Sequence, residues 1–393
     1  MAEQKTKVVV LGGGFAGIKA ALELCDNPKL SVRLISDQVN FRYYPTLYRA
    51  ATGGRMEASS IPLSEIFKGK SVKLINDTIQ TVDREAKKLS GKENYSYDIL
   101  VVALGVVTNY FGIKGLKEYS YGIKSQEDAQ ELRDHIHKLL LDEGKPDVNY
   151  IVIGGGPTGV ELAGALPSYI KHIMKKHQLA DKKLHIDLVE AAPRLMPRMP
   201  KSYSTALAKR LRKLGIKLYL NQTVQAETAD ALMVNDHSIE SHTVVWTAGV
   251  TNHPFFSANT FALTDHGKVV VDKTLQAEPN IFVIGDNADT PFSGMAQTAL
   301  HDAKFAAYNV QRLVRGKKPM SYSPKKPIYV TPVGPRWAAV LWNNFHVYGW
   351  FGWVLRSAAD FRAFHEYEPW WLSSQHWIAE YEDQPTCPIC SGN

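Results

Sequence analysis

Two glycine runs carry the most specific chemistry in this chain. Gly12, Gly14 and Gly17 are spaced G-x-G-x-x-G, and Gly154, Gly156 and Gly159 repeat that spacing. The first glycine of such a run permits a tight turn, the second lets the backbone approach a pyrophosphate, and the third lets a helix pack close against a strand. The free N–H groups where the helix begins, here around Phe15-Ala16 and Pro157-Thr158, then hold the anion. Each run follows an apolar stretch of strand character, residues 8–11 and 150–153, and opens into small and apolar residues at i, i+3, i+4 spacing. A strand, a glycine turn and a helix, twice over, predict two doubly wound, Rossmann-like α/β units that each bind a dinucleotide.

A carboxylate at the end of the second strand of such a unit can accept a hydrogen bond from a ribose 2′-hydroxyl. In the second unit Ile186-Asp187-Leu188-Val189 ends at Glu190, in the expected register. A charge there favours a free 2′-hydroxyl and repels a 2′-phosphate, which predicts NADH rather than NADPH. In the first unit Val32-Arg33-Leu34-Ile35 is followed by Ser36, and the acid, Asp37, comes one residue later. Two sites in one chain predict two dinucleotides, a tightly held flavin (FAD) and an exchangeable nicotinamide (NAD(H)), with hydride passing from one ring to the other.

The elements around these turns divide the chain. Strand-like runs at 72–75, 79–82 and 99–103 predict a short meander that returns to a sheet. Ile281-Phe282-Val283-Ile284 runs into Gly285-Asp286 and then a helical stretch from Gln297 to Leu313, so a distant part of the chain is expected to complete the first unit. The expected FAD-binding domain is 1–112 with 251–318, and the NAD-binding domain is 113–250. A C-terminal region, 319–393, opens on Pro319, Pro324, Pro327, Pro332 and Pro335.

At 393 residues, 45% hydrophobic and 22% charged, the chain is of a size and polarity to bury large cores, which argues against a disordered, collagenous or polytopic membrane protein. Three cysteines cannot build a disulfide framework, and the first residues run straight into a strand without a signal peptide, so a reducing cytoplasmic setting is expected. The net charge of +7 is localised: from Arg312 to Arg336 there are seven Lys or Arg and no acid. Seven of the eight tryptophans lie between Trp337 and Trp377. A basic stretch leading into a Trp-rich one reads as a surface for anionic lipid rather than nucleic acid. Residues 337–355 contain no formal charge and place Trp337, Leu341, Phe345, Tyr348, Gly352 and Leu355 on one helical face. They are expected to form an amphipathic helix in the membrane interface, with 358–381 as a second docking helix. The same aromatics would alternatively pack a homodimer interface. Cys387 and Cys390 supply half a zinc site at most and read as an exposed tail; no metal ligand set is apparent.

These motifs, in this order, resemble the two-dinucleotide-binding-domain flavoproteins. Ala103-Leu104-Gly105 stands at that superfamily's A-T-G linker, Thr247-Ala248-Gly249-Val250 at its T-x-G-x element, and residues 281–286 at its second flavin motif. No cysteine lies between Asn40 and Arg55, where the disulfide reductases carry C-x4-C, and none lies in mid-sequence, where sulfide:quinone reductases need them. The sequence from Phe41 to Gly53, the T-N-Y-F-G-I run from Thr108 to Ile113, and the form of the second glycine motif resemble the type II (single-subunit, non-proton-pumping) NADH:quinone oxidoreductases. That family's A-Q-x-A-x-Q motif is matched by Ala296-Gln297-Thr298-Ala299-Leu300-His301, with His301 where the second Gln is usual.

The resemblance implies roles. Gly12, Gly14, Phe15, Ala16, Gly17 and Asp37 would hold FAD together with Ala103, Leu104, Gly105, Asp286, Ala296 and Gln297. Gly154, Gly156, Pro157, Thr158, Gly159, Glu161, Glu190, Ala248 and Gly249 would hold NADH. Backbone N–H groups at Ala296 and Gln297 would stabilise negative charge at the flavin's pyrimidine edge. Glu161, Gln297 and His301 are the expected catalytic residues: Glu161 where the two rings meet, Gln297 and His301 on the quinone side, one helical turn apart. The expected activity passes electrons from NADH to FAD and on to a membrane quinone without proton pumping, from a peripheral seat on the cytoplasmic face of the cell membrane. Two other readings stay open: a soluble NADH oxidase or ferredoxin/rubredoxin reductase, and an NADH-sensing flavoprotein akin to apoptosis-inducing factor.

Overall fold

The structure, a computed structural model, describes residues 5–142, 148–179, 183–368 and 370–381; Cys387 and Cys390 lie outside the described residues. Two parallel sheets organise it. The larger has six strands in the order Gln276–Glu278, Ile281–Val283, Ile99–Val102, Thr6–Leu11, Leu30–Ser36, Val72–Asn76. All neighbours in it are parallel except the first pair. Val8, Val9 and Val10 are fully buried, which is why Thr6–Leu11 reads as a continuous apolar run: a parallel strand is covered on both faces. The second sheet runs Lys217–Leu220, His185–Glu190, Asn149–Ile153, Thr243–Trp246, again all parallel. The chain crosses between the sheets twice, and the two crossings pair with each other as antiparallel strands, Val106–Thr108 with Val250–Asn252.

Ile281–Val283 pairs in parallel with Ile99–Val102, so a late strand does enter the early sheet. The expected meander differs in its members. Val72–Asn76 is the parallel edge strand of the first sheet, and the antiparallel meander is Thr81–Asp83, Lys88–Ser90 and Asn94–Ser96.

The largest departure lies at 337–355. No single helix forms there. Tyr329–Pro332, Ala338–Trp342 and Phe345–Gly349 make an antiparallel three-stranded sheet, and a helix begins only at Trp350, running to His365. The cause is the Asn343-Asn344 pair, a two-residue hairpin turn closed by Trp342 opposite Phe345, with Asn343 at φ 53. Asparagine tolerates that left-handed conformation where most residues do not. The helix then lies directly on the middle strand: a Cβ at Gly352 would fall 2.2 Å from the Ala338 carbonyl oxygen. A final helix spans Trp370–Tyr381. No described helix is long and apolar enough to cross a membrane.

The tail staples both units. Val333, Ala339 and Leu341 sit in the core of the second, while Phe364 and Tyr367 sit in that of the first. The Arg356–Asp360 ion pair is buried within the Trp350–His365 helix, and Arg356 also donates to the Pro45 carbonyl (3.3 Å). From the other side, Leu47, Ala50, Ala51 and Met56 of the first unit pack into the core of the second.

Candidate functional site

The two glycine turns are built alike. Gly12 and Gly154 have φ of 115 and 114. A Cβ at Gly12 would lie 2.3 Å from the Ala103 carbonyl oxygen, and one at Gly154 would lie 2.8 Å from the Thr247 hydroxyl. Gly17 and Gly159 would put a Cβ at 1.9 and 2.0 Å from the carbonyl oxygens of Gly12 and Gly154. Only Gly14 and Gly156 face open space, with nothing within 4 Å. Each turn is therefore closed against its sheet and open at its middle glycine, where the helices Phe15–Leu24 and Pro157–Lys176 begin. That is the shape a pyrophosphate needs, and the residues present fit FAD in one cradle and NADH in the other. Ala103-Leu104 and Thr247-Ala248 occupy matching places beside the turns, since each follows the neighbouring parallel strand.

The turns part company at the ribose position. A Cβ at Gly155 would meet a Glu190 carboxylate oxygen at 2.8 Å, whereas the same atom at Gly13 would meet the Ser36 hydroxyl at 2.6 Å. Glu190 accepts from the N–H of Gly155 (2.5 Å) and of Ala192 (2.7 Å), which hold it at the mouth of the second cradle. Asp37 sits one residue past Ser36, exposed, where it accepts from the Gln38 amide.

Above the first cradle lies the turn Gly285–Asn287. The backbone carbonyl of Asp286 accepts from Lys268 Nζ at 2.7 Å, and its side chain accepts from the Gly294 N–H at 3.1 Å. Burial lowers the pKa of Lys268, and the charges of Asp286 and Asp289 oppose that. Fully buried Asn287 was not foreseen. It exchanges hydrogen bonds with the backbone of Gly105 and donates to Asn252, tying together both chain crossings. Lys124 was also missed: its ammonium lies 5.8 Å from the Tyr44 ring centroid. Burial lowers its pKa against the opposing charges of Asp286 and Asp128. No sequence signal marks Lys124 except its place just before Ser125, the cap of the Gln126–Leu140 helix.

Gln297 and His301 lie on the Ala296–Val314 helix, whose first turn points into this region. Their side chains are engaged by the proline-rich segment that follows the helix. Gln297 exchanges two hydrogen bonds with the backbone of Ile328 (2.8 and 3.0 Å), and His301 Nε2 donates to the Ser323 carbonyl at 2.8 Å. Further along, Asn309 exchanges bonds with Met320, and Arg312 Nε donates to the Lys318 carbonyl. The segment thus runs back along the helix as a strap, fastened at successive turns of one face. Gln297 keeps one amide N–H and one acceptor lone pair for another group. Glu161 is half-buried on the Pro157–Lys176 helix. Its charge is felt by Tyr203, whose hydroxyl donates to the Ala339 carbonyl and shares a hydrogen bond with the Thr331 hydroxyl, both in the tail sheet. Cys25 is buried in the first unit with its thiol pushed up to about 11 by burial, the opposite of an activated nucleophile.

Comparison with known proteins agrees with this geometry. Residues 6–304 match the pyridine nucleotide-disulphide oxidoreductase family. Type II NADH:quinone oxidoreductases from Staphylococcus haemolyticus and Staphylococcus aureus are each 28% identical over 342 residues, covering 81% of this chain and 85% of theirs. Among solved structures, NDH2 from Plasmodium falciparum in complex with NADH superposes with a TM-score of 0.87 at 17% identity, over 96% of this chain and 98% of that one. The sulfide:quinone oxidoreductase of Aquifex aeolicus gives 0.80 at 21% identity, over 95% and 92%.

Proposed function

The chain belongs to the pyridine nucleotide-disulphide oxidoreductase family, and we propose that within it the protein acts as an FAD-dependent NADH:quinone oxidoreductase that pumps no protons. The observation that carries this reading is the pair of glycine cradles, alike in backbone and unlike in surroundings. The type II NADH:quinone oxidoreductases similar along four-fifths of the chain support it. When bound, FAD would accept hydride from NADH and deliver two electrons to the quinone.

The chain's own residues supply binding and orientation. Gly12, Gly14 and Gly17 shape the turn that brings the flavin pyrophosphate to the free N–H groups at the helix start, and Asp286 takes the ribityl side. Gly154, Gly156 and Gly159 do the same for the nicotinamide dinucleotide, with Glu190 selecting the free 2′-hydroxyl. Ala296 offers a helix-start N–H toward the flavin's pyrimidine edge, where it favours negative charge. Glu161, beside the tail sheet, orients the second cradle's contents. Gln297 meets the quinone through the amide N–H that the strap leaves over. His301, fastened to Ser323, shapes the wall of that site. The units divide as 1–112 with 251–318, 113–250, and the tail from 319.

The acceptor's seat is the aromatic end of the tail. Trp342 and Phe345 at the hairpin tip, and Trp350 and Phe351 where the next helix starts, are all more than half exposed. The strap that leads into this sheet carries Arg315, Lys317, Lys318, Lys325 and Lys326, all exposed. Exposed aromatics preceded by a basic segment fit an anionic lipid surface, each aromatic contributing about 1.5–3 kcal/mol when buried, which supports a peripheral enzyme, and we place it on the cytoplasmic face.

The decisive measurement is steady-state NADH oxidation by the full chain with a menaquinone or ubiquinone analogue. Turnover with quinone and a strong preference for NADH over NADPH are expected. Brisk reduction of oxygen or a protein acceptor with none of quinone would overturn the reading. Vesicles containing phosphatidylglycerol should bind the native chain and release a Phe345→Ser, Phe351→Ser double variant. Loss of self-association instead of lipid binding would assign that face to a second copy.

A further inference from the structure

We propose that Asp302 is the positioning residue of the Gly285–Asn287 turn, and that Tyr322, reaching in from the strap, holds Asp302 in place. The inference rests on the FAD reading above. Asp302 lies on the Ala296–Val314 helix and is completely buried, so it touches neither acceptor nor solvent. One carboxylate oxygen accepts from the Gly285 N–H at 3.2 Å and from the Thr290 hydroxyl at 3.4 Å; the other accepts from the Tyr322 hydroxyl at 2.5 Å. All three neighbours are donors, the set an ionised carboxylate requires and a protonated one does not. Burial raises the Asp302 pKa, and the bonds from Tyr322, Gly285 and Thr290 oppose it.

The geometry links three parts of the chain. Gly285 takes φ 69, a left-handed step suited to glycine, and its N–H is spent on Asp302 rather than left for a cofactor. That N–H fixes the plane of the Ile284–Gly285 peptide, one step before Asp286. A Cβ at Gly285 would stand 3.2 Å from Ala16 of the first glycine-turn helix, so the turn has little room to reseat itself. Tyr322 is fixed in turn by ring contacts with His301 (5.5 Å) and Phe305 (5.2 Å) and by its N–H bond to the Lys273 carbonyl (2.6 Å). A buried negative charge behind the flavin turn makes it harder to add electrons in front of it.

The test uses full-length protein reconstituted with FAD: native, Asp302→Asn and Tyr322→Phe. FAD dissociation is followed by recovered flavin fluorescence, and the midpoint potential is measured at saturating FAD. Asp302→Asn should weaken FAD binding about tenfold, the scale of one hydrogen bond to a charged group, and move the potential positive. Tyr322→Phe keeps the charge but strips a donor from it, so binding should weaken only about threefold and the potential should move the opposite way. A merely structural role would not give shifts of opposite sign. Unchanged potentials in both variants would overturn the proposal; if Asp302→Asn does not fold, an unchanged potential in Tyr322→Phe alone does so. Native protein unable to bind FAD would instead defeat the cofactor reading. Native protein that binds FAD but leaves quinone unreduced would defeat the acceptor reading and leave this test intact.

Discussion

The first and second glycine-turn units have nearly superimposable turns and opposite surroundings. At the first, the tail closes in from behind. The Tyr367 hydroxyl reaches the Phe15 carbonyl at 3.5 Å, its ring lies 5.9 Å from that of Phe15, and Glu366 binds Lys19 Nζ on the same helix at 2.9 Å. At the second, the loop between the first two strands of the tail sheet packs against the middle of the helix, where a Cβ at Gly164 would fall 2.8 Å from the Gly334 nitrogen. Equal cradles can thus serve a retained cofactor and a visiting one. On the function proposed above, retention would come from what is packed around the turn, and selectivity from the one side chain at the ribose position, Ser36 or Glu190.

The sharpest way to break that comparison is to make the same lesion in both turns. Gly17→Ala and Gly159→Ala each drive a Cβ to about 2 Å from a carbonyl oxygen. Gly17→Ala should purify colourless, with FAD affinity down at least about a hundredfold. Gly159→Ala should stay yellow and lose NADH affinity by a similar factor, as visible absorbance and NADH titration would show. Equal loss of colour in both would end the assignment of separate cofactors. Next in size, Glu190→Gln removes the charge that repels a 2′-phosphate, so the ratio of kcat/KM for NADH over NADPH should fall by about one to two decades. An unchanged ratio would place the selectivity elsewhere.

A smaller effect separates the two surroundings. Burial pushes the Glu366 carboxyl up, but hydrogen bonds from Lys19 and Lys304 outweigh it and hold the group down to about 2, against 4.5 in an unfolded chain. Its contribution to tail attachment is therefore complete above about 4.5 and disappears as pH falls through about 2. Glu366→Gln should speed FAD release about threefold at neutral pH and leave NADH affinity unchanged; equal effects on both would deny that the tail guards one cradle only. The smallest effect belongs to the second unit. Glu227 is 4% exposed, its Oε2 has no hydrogen bond, and burial raises its carboxyl to about 8. Between 4.5 and about 8 the folded chain keeps a proton that the unfolded chain has lost, so stability should decline as pH rises across that window. Glu227→Gln should remove the slope and raise Tm by on the order of a few degrees at pH 8 but not at pH 5. Parallel Tm–pH curves for the two proteins would refute it.

Much of this was legible in the amino-acid order because it depends on local rules. Glycines at positions 12, 14 and 17, an apolar run before them and a helix after them specify a turn whatever lies around it, and Glu190 follows its strand in fixed register. The tail was misread for a physical reason. Residues 337–355 satisfy a helical period, but Asn343-Asn344 at their centre is a hairpin turn, and the strands on either side gain burial from contacts far away in sequence. Periodicity cannot register such partners. Gln297 and His301 were legible as positions on one helix face; that a strap would occupy their polar atoms was not.

The order of residues alone determined where backbone could approach a phosphate and which carboxylate would stand beside the second cradle, because turn geometry and strand register are set within a few residues. Only the folded chain decided that Asn287 ties both crossings, that Asp302 lies behind the Gly285–Asn287 turn under Tyr322, and that the tail braces the first residues of one cradle's helix and the middle of the other's. Those pairings join groups from 17 to 352 residues apart, and such contacts form only when distant surfaces are buried together.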